Sequence, residues 1–313
     1  MNWRVEVFDP HLDAEPPWWE SFRRSADLHM IWTWEMLTAG APLRIAVVRD
    51  GPRTIAMAAA RWTRGMTNVI ALGGTAQPSW WIAESAPRPE LFAVLGRALR
   101  DQFSRPALGT LWREFTRDQL HQIRGIRATV KVNPVSLLPI RWPDENGWLA
   151  ELSAERRKNI RRRARQLGRD PGLVIGSGPV DTLDADQAIR LIRGNEVKYN
   201  GPRFVSKMPD TWLRRLLRRS DVRAVHYHDP DRTLLAISIV LDHPTWPVLH
   251  RWGALPEDQG GRKHLYFDAF RRNVAWATAT GKHGLIVGKG LPEIKQSLGC
   301  QVHDRYAIIT PGR

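Results

Sequence analysis

Residues 3–8 (WRVEVF) alternate apolar and polar with the period of two expected of a half-buried strand. The period then changes. Phe22, Leu28, Ile31 and Trp34 recur at helical spacing through PPWWESFRRSADLHMIWTWEML, which predicts a helix. LRIAVVRDG reads as a strand closed by an Asp-Gly turn, TIAMAAARWTRG as the returning arm of a hairpin, and TNVIALGG as a third strand. GTAQPSWWIAESAPRPE reads as a loop, ELFAVLGRALRDQF as an amphipathic helix, and TLWREF and SLLPIRW as further strands.

RWPDENGWL is turn-rich and reads as a junction, after which the same order of elements begins again. LSAERRKNIRRRARQLGRDPG predicts a helix capped by Ser153 and closed near Gly168. DTLDADQAIRLIRGNEVKYNG and SKMPDTWLRRLLRRS follow as helices, then VRAVHYHD, TLLAISIVLD and PVLHRWGAL as strands. Leu265, Ala269, Val274 and Ala277 outline the next helix, with Gly281 where a C-cap belongs, and HGLIVG is a short strand buried on both faces. A short helical turn in LPEIKQSLG carries Lys295, and HDRYAIIT is the last strand. The pattern predicts two domains, 1–148 and 149–313, with a basic helix over 152–168 connecting them, and an α/β class (an α+β mixed sheet).

Charge separates the halves. Of 47 Lys and Arg, 29 fall in 149–313 against 17 of the 32 Asp and Glu, so this half holds most of the formal +15. Eight cations crowd residues 156–169, and like charges at i,i+4 weaken a helix unless an anion offsets them. Arg157, Arg161, Arg162 and Arg165 are therefore candidate contacts to a polyanion. No apolar run reaches the roughly 20 residues a membrane span needs, so stable membrane insertion is not expected. The amino terminus lacks an apolar leader, and one cysteine, Cys300, forms no internal disulfide; both favour a cytoplasmic location. Most of the 15 tryptophans are expected in the core, while Trp80-Trp81 is a candidate for stacking on a base or apolar group.

No Ser-His-Asp order with an elbow, no HExxH, no Walker A loop and no framed pair of carboxylates occurs, and no Cys/His spacing suggests a metal. Gly288 and Gly290 flank Lys289 just beyond a strand's carboxyl end, where ligands collect in open α/β sheets. The stretch VGKGLPEIKQSLG resembles the carboxyl-terminal part of the Gcn5-related acyltransferase (GNAT) superfamily, in the branch of Fem-type peptidyltransferases and CelD/BioF2-like proteins. Lys295 matches the lysine of that pattern; Ile294 stands where relatives usually carry an aromatic residue.

The resemblance implies tandem GNAT domains with a cleft between them. It also implies transfer of an aminoacyl group from aminoacyl-tRNA, a co-substrate, to the amine of a small-molecule or peptide acceptor, with no metal and no bound cofactor. Such a transfer needs proximity, a route for the amine proton and stabilisation of an oxyanion, which makes Lys295 and His250 the catalytic candidates. Trp252 and Glu196 are candidate substrate contacts, as are Arg262 and Lys263, which in QGGRKHLY replace the small residues of a coenzyme A loop with phosphate-attracting cations. The alternatives are a coenzyme A-dependent N-acyltransferase using acetyl-CoA, and a non-catalytic RNA-binding module.

Overall fold

The structure is a computed structural model that describes residues 3–69, 72–103, 107–200 and 208–312. Ile70 and Ala71 of the predicted third strand, and Ser206 and Lys207 of the predicted SKMPDTWLRRLLRRS helix, lie outside them. The chain divides into two compact units, 1–134 with 303–313, and 135–302. In chain order the elements are β1 (Arg4–Phe8), α1 (Trp19–Ser25), α2 (Trp34–Ala39), β2 (Arg44–Asp50), β3 (Arg53–Thr63), β4 (Met66–Asn68), β5 (Trp80–Ile82), α3 (Arg88–Asp101), β6 (Gly109–Phe115) and β7 (Ala128–Pro139). Then come α4 (Glu145–Glu151), α5 (Ala154–Leu167), β8 (Val174–Pro179), α6 (Ala185–Asn200), α7 (Asp210–Leu216), β9 (Val222–His228), β10 (Leu234–Leu241), β11 (Val248–Ala254), α8 (Leu265–Ala279), β12 (Gly284–Gly288), α9 (Pro292–Gln296) and β13 (Gln301–Pro311).

In the first unit β1 to β4 are antiparallel neighbours. The chain then crosses by α3 to β6, which runs parallel to β4. Ala56, Ala58 and Ala60, alternate buried residues of β3, have small side chains, which lets Leu91, Leu95 and Leu99 of α3 lie close over the sheet. In the second unit β8 to β11 are antiparallel, α8 makes the crossover, and β12 runs parallel to β11. Phe270, Val274 and Ala277 of α8 pack on Leu285 and Val287, and Trp148 of α4 joins them with its Nε1–H donating to the Leu298 carbonyl at 2.9 Å. Burying one such side chain contributes about 1.5–3 kcal/mol, and the indole also finds its acceptor.

The last strand does not stay with the half that precedes it. β13 pairs antiparallel with β6, from Tyr306 opposite Phe115 to Pro311 opposite Gly109, so residues 303–313 belong to the first unit. In turn the end of β7 pairs with β12, from Ser136 opposite Gly288 to Pro139 opposite Gly284. The division therefore falls at 134/135 and 302/303, not at 148/149.

Local expectations also change. The single helix predicted through 16–37 is broken, because Asp27 takes a left-handed φ of 51° after α1 and a short 3-10 turn, Met30–Trp32, precedes α2. The loop predicted around Trp80-Trp81 contains β5, and Trp80 is core: it stacks on Phe115 at 4.7 Å and donates to the Arg113 carbonyl at 2.9 Å. The turn-rich junction contains α4, whose cap Asp144 accepts the Gly147 N–H at 2.9 Å. β8, unmarked by alternation, pairs with β9, and Gly176 there leaves room for the His226 ring, which a Cβ would meet at 2.0 Å.

Candidate functional site

The two parallel strands of the second unit share one aligned pair, Val248 opposite Ile286, with the Ile286 N–H donating to the Pro247 carbonyl at 2.9 Å. Beyond that pair, among the described residues, their carboxyl-terminal portions carry no further aligned pair. The chain leaves β12 through three left-handed residues, Gly288 (φ 77°), Gly290 (φ 80°) and Leu291 (φ 48°). These fold α9 back under the strand end, with Pro292 opening the helix.

The reversal places Lys295 inside the protein, 6% exposed. Its Nζ donates to the carbonyls of Gly288 at 3.0 Å and Lys289 at 2.8 Å. An ammonium has three donors, so two are committed and one has no partner among the described residues. Burial pulls Lys295 down to about 8, with Cys300 acting in the opposite direction. Burial pushes the Cys300 thiol up to about 12 against the pull of Lys295, so at neutral pH it is a protonated packing group and not a thiolate nucleophile.

Sequence reasoning missed Tyr266, in the first turn of α8. Its ring stands edge-on to Trp252 at 5.5 Å, and its phenol is pushed up to about 12 by burial, then by Cys300 and Tyr199. Cys300 thus acts on both Lys295 and Tyr266, and Tyr266 packs against the buried cluster that contains Cys300. The helical phase of α8, which turns Leu265 and Ala269 to the sheet, was the signal that put Tyr266 near the strand ends.

Successive residues of β11 face opposite sides, and this separates the predicted residues. Trp252 faces α8. Gly253 faces α6 so closely that a Cβ would sit 2.6 Å from the Leu191 backbone. His250 is the extra residue of a bulge, since Ile239 opposes Arg251 and Val240 opposes Leu249. It is 8% exposed and packs against Trp212 of α7 at 5.5 Å. Glu196 of α6 lies 2.7 Å from Arg193 and 3.7 Å from Arg251, and Arg193 reaches Asp210 at 2.6 Å. His250 and Glu196 therefore belong to the α6–α7 side, and Lys295, Trp252 and Tyr266 to the α8 side.

α5 is capped by the Ser153 hydroxyl, which accepts the Arg156 N–H at 3.2 Å, and buries Ile160 and Leu167. Arg156 and Arg163 place their guanidinium groups over the Phe267 ring of α8 at 5.4 and 5.0 Å. Arg157 donates to the Ala150 carbonyl and Arg162 to Asn159. Lys158, Arg161, Arg165 and Arg169 are exposed and pair with no acid among the described residues. His264, which precedes α8 at φ 70°, is pulled down by burial and by Arg163, Lys263 and Arg162, so the cations of α5 reach the start of α8.

Arg262 and Lys263 are less free than expected. Arg262 lies 3.4 Å from Asp170 and donates to the Gly260 carbonyl at 2.7 Å, and Lys263 lies 3.1 Å from Glu257. The turn before them is folded on itself: the N–H groups of Gln259, Gly260 and Gly261 donate to the carbonyls of Pro256, Glu257 and Pro256. Three consecutive amides are thus already bonded. Among the described residues, no cluster of three or more His, Cys, Asp or Glu side chains is placed to hold a metal ion, and no helix is long and apolar enough to cross a membrane.

The twice-repeated order of antiparallel strands, crossover helix and parallel strand has close counterparts among solved structures. L-PGS from Bacillus licheniformis superposes with a TM-score of 0.66 at 11% identity, covering 96% of this chain and 93% of that one. FemX superposes at 0.63 and 8%, covering 96% of each, and a tandem GNAT protein from the clavulanic acid biosynthesis pathway at 0.51 and 13%, covering 100% of each. The fold is that of the tandem GNAT proteins. No protein-family model and no curated protein matches the sequence. In this tandem GNAT fold Lys295, Tyr266 and Trp252 all belong to the second unit.

Proposed function

We propose that the protein is an acyltransferase that moves an aminoacyl group from aminoacyl-tRNA to an amine, forming an amide bond. The observation that carries this reading is the buried Lys295 ammonium at the carboxyl end of β12, with one N–H uncommitted among the described residues. When an amine nitrogen attacks an ester carbonyl, negative charge gathers on that oxygen. A fixed cation in a poorly hydrated site stabilises it far more than water does. Collapse of the adduct breaks the bond to the ribose oxygen, which takes up the proton lost from the attacking nitrogen.

Two features of the surroundings support this donor. Coenzyme A recognition uses consecutive free amides around a pyrophosphate, and those of Gln259 to Gly261 are bonded within their own turn. The exposed cations of α5, which pair with no acid among the described residues and reach the start of α8, suit the phosphates of an RNA. The resemblance to Fem-type transferases supports the same donor. A cytoplasmic setting, where charged tRNA is plentiful, accords with this chemistry.

The test is to incubate the protein with charged total tRNA in one tube and acetyl-CoA in another, each with a panel of amines, and to weigh the products. Aminoacylated amine in the first tube alone is the expected outcome. Acetylated amine in the second alone would replace the donor with coenzyme A, and product in neither would leave only the RNA-binding surface.

A further inference from the structure

The first unit contains a cavity of about 620 Å³ bounded by α1, the β2–β3 turn and the end of β5. Small-molecule sites commonly measure about 300–1,000 Å³, and most combine apolar walls with a few polar groups that set orientation. Its aromatic wall is Trp18, Phe22 and Trp81. Phe22 meets Trp81 edge-on at 5.1 Å and Trp18 at 6.1 Å. Arg49 lies over Trp18 at 4.9 Å and is itself held by donation to the Pro52 carbonyl at 2.8 Å. The rings are therefore braced, yet Trp18, Phe22 and Trp81 all remain partly exposed beside the cavity.

Two opposite charges stand at the same cavity. β3 and β5 are antiparallel, with Ala56 opposite Ile82, and the Ala83 N–H donates to the Ile55 carbonyl at 2.9 Å. Continued outward, that register sets Thr54 opposite Glu84 and Arg53 opposite Ser85, one step further along, and Arg53 and Glu84 both line the cavity. Both are exposed, and the side chain of neither has a hydrogen bond or ion pair among the described residues. A cation and an anion left unneutralised beside aromatic rings complement a ligand that carries both charges on a flat apolar body.

We infer that this cavity binds a free aromatic α-amino acid, with the ring against Trp18, Phe22 and Trp81, the carboxylate on Arg53 and the ammonium on Glu84. The inference concerns the first unit alone and does not depend on the transfer reaction proposed for the second.

Calorimetric titration of the full chain with L-tryptophan tests it, beside N-acetyl-L-tryptophan, which lacks the ammonium, and L-tryptophanamide, which lacks the carboxylate. Saturable binding of tryptophan is expected, with each analogue weaker by about fivefold, the upper end for a solvent-exposed ion pair. Arg53→Gln should abolish the preference over the amide, and Glu84→Gln the preference over the N-acetyl compound. Trp81→Ala should weaken all three ligands. Both rim residues are exposed, so their variants should keep the wild-type circular dichroism and melting temperature. Absence of saturable binding at millimolar tryptophan overturns the inference, and so does binding that neither rim substitution alters.

Discussion

Lys295 holds its proton with difficulty because it is buried among neutral groups, and two carbonyl oxygens repay only part of the lost hydration. Its value of about 8, against an ordinary 10.5, sets a sign that experiment can read. The acid form is the cation, so a rate that depends on it is full below pH 8 and declines as pH rises through that value. If instead the free amine served as a base, the rate would climb over the same interval, and a rising limb would reject the electrostatic role. Lys295→Met should lower turnover by about 10²–10³, the usual effect of removing one such electrostatic donor, and remove the limb near pH 8. Stability moves the other way with pH: between about 8 and 10.5 the unfolded chain holds a proton that the folded one has shed, so this residue favours folding more as pH rises across that window. Urea midpoints of wild type and Lys295→Met measured at both ends of the interval isolate that contribution.

At the level of single elements, α5 carries a conflict between stability and use. Arg157, Arg161 and Arg165 succeed one another at i,i+4, and each like-charged neighbour costs a helix about 0.2–0.5 kcal/mol. The helix holds through its Ser153 cap, the buried Ile160 and Leu167, and the two guanidinium groups on Phe267. Arg161 and Arg165 take no part in that support. Replacing both with Ala should leave the melting temperature unchanged or slightly higher, while weakening tRNA binding and flattening log K against log salt by about 1.5–2, near 0.9 for each phosphate no longer neutralised. An unaltered slope would make α5 a structural connector.

For the whole molecule the consequential feature is the exchange of end strands. β13 completes the first unit's sheet, and its approach to β6 is so close that a Cβ on Gly109 would meet the Thr310 carbonyl oxygen at 2.2 Å. Glycine is required there by contact with a strand about 200 residues away in sequence. Gly109→Val should therefore destabilise the first unit by about 1–3 kcal/mol, as overpacked cores do. Hydrogen exchange would register it as faster amide exchange in β6 and β13. Equal protection in wild type and variant would mean that the strands tolerate the side chain.

The sequence by itself determined most elements and their repeated order, because the period of apolar residues and the placement of Gly, Pro and Ser are local properties. It also marked Lys295, since two glycines and a short capped turn can be read within ten residues. Only the tertiary structure decided the rest, because pairing between distant strands leaves no local trace. The assignment of β13 to the first unit, the strand formed by Trp80 and Trp81, and the bulge that turns His250 toward α7 all arise from partners remote in the chain. So do the partnering of Arg262 and Lys263 by acids and the packing of Tyr266 against the cluster that contains Cys300. Composition counts charges, and tertiary structure determines which of them remain unneutralised.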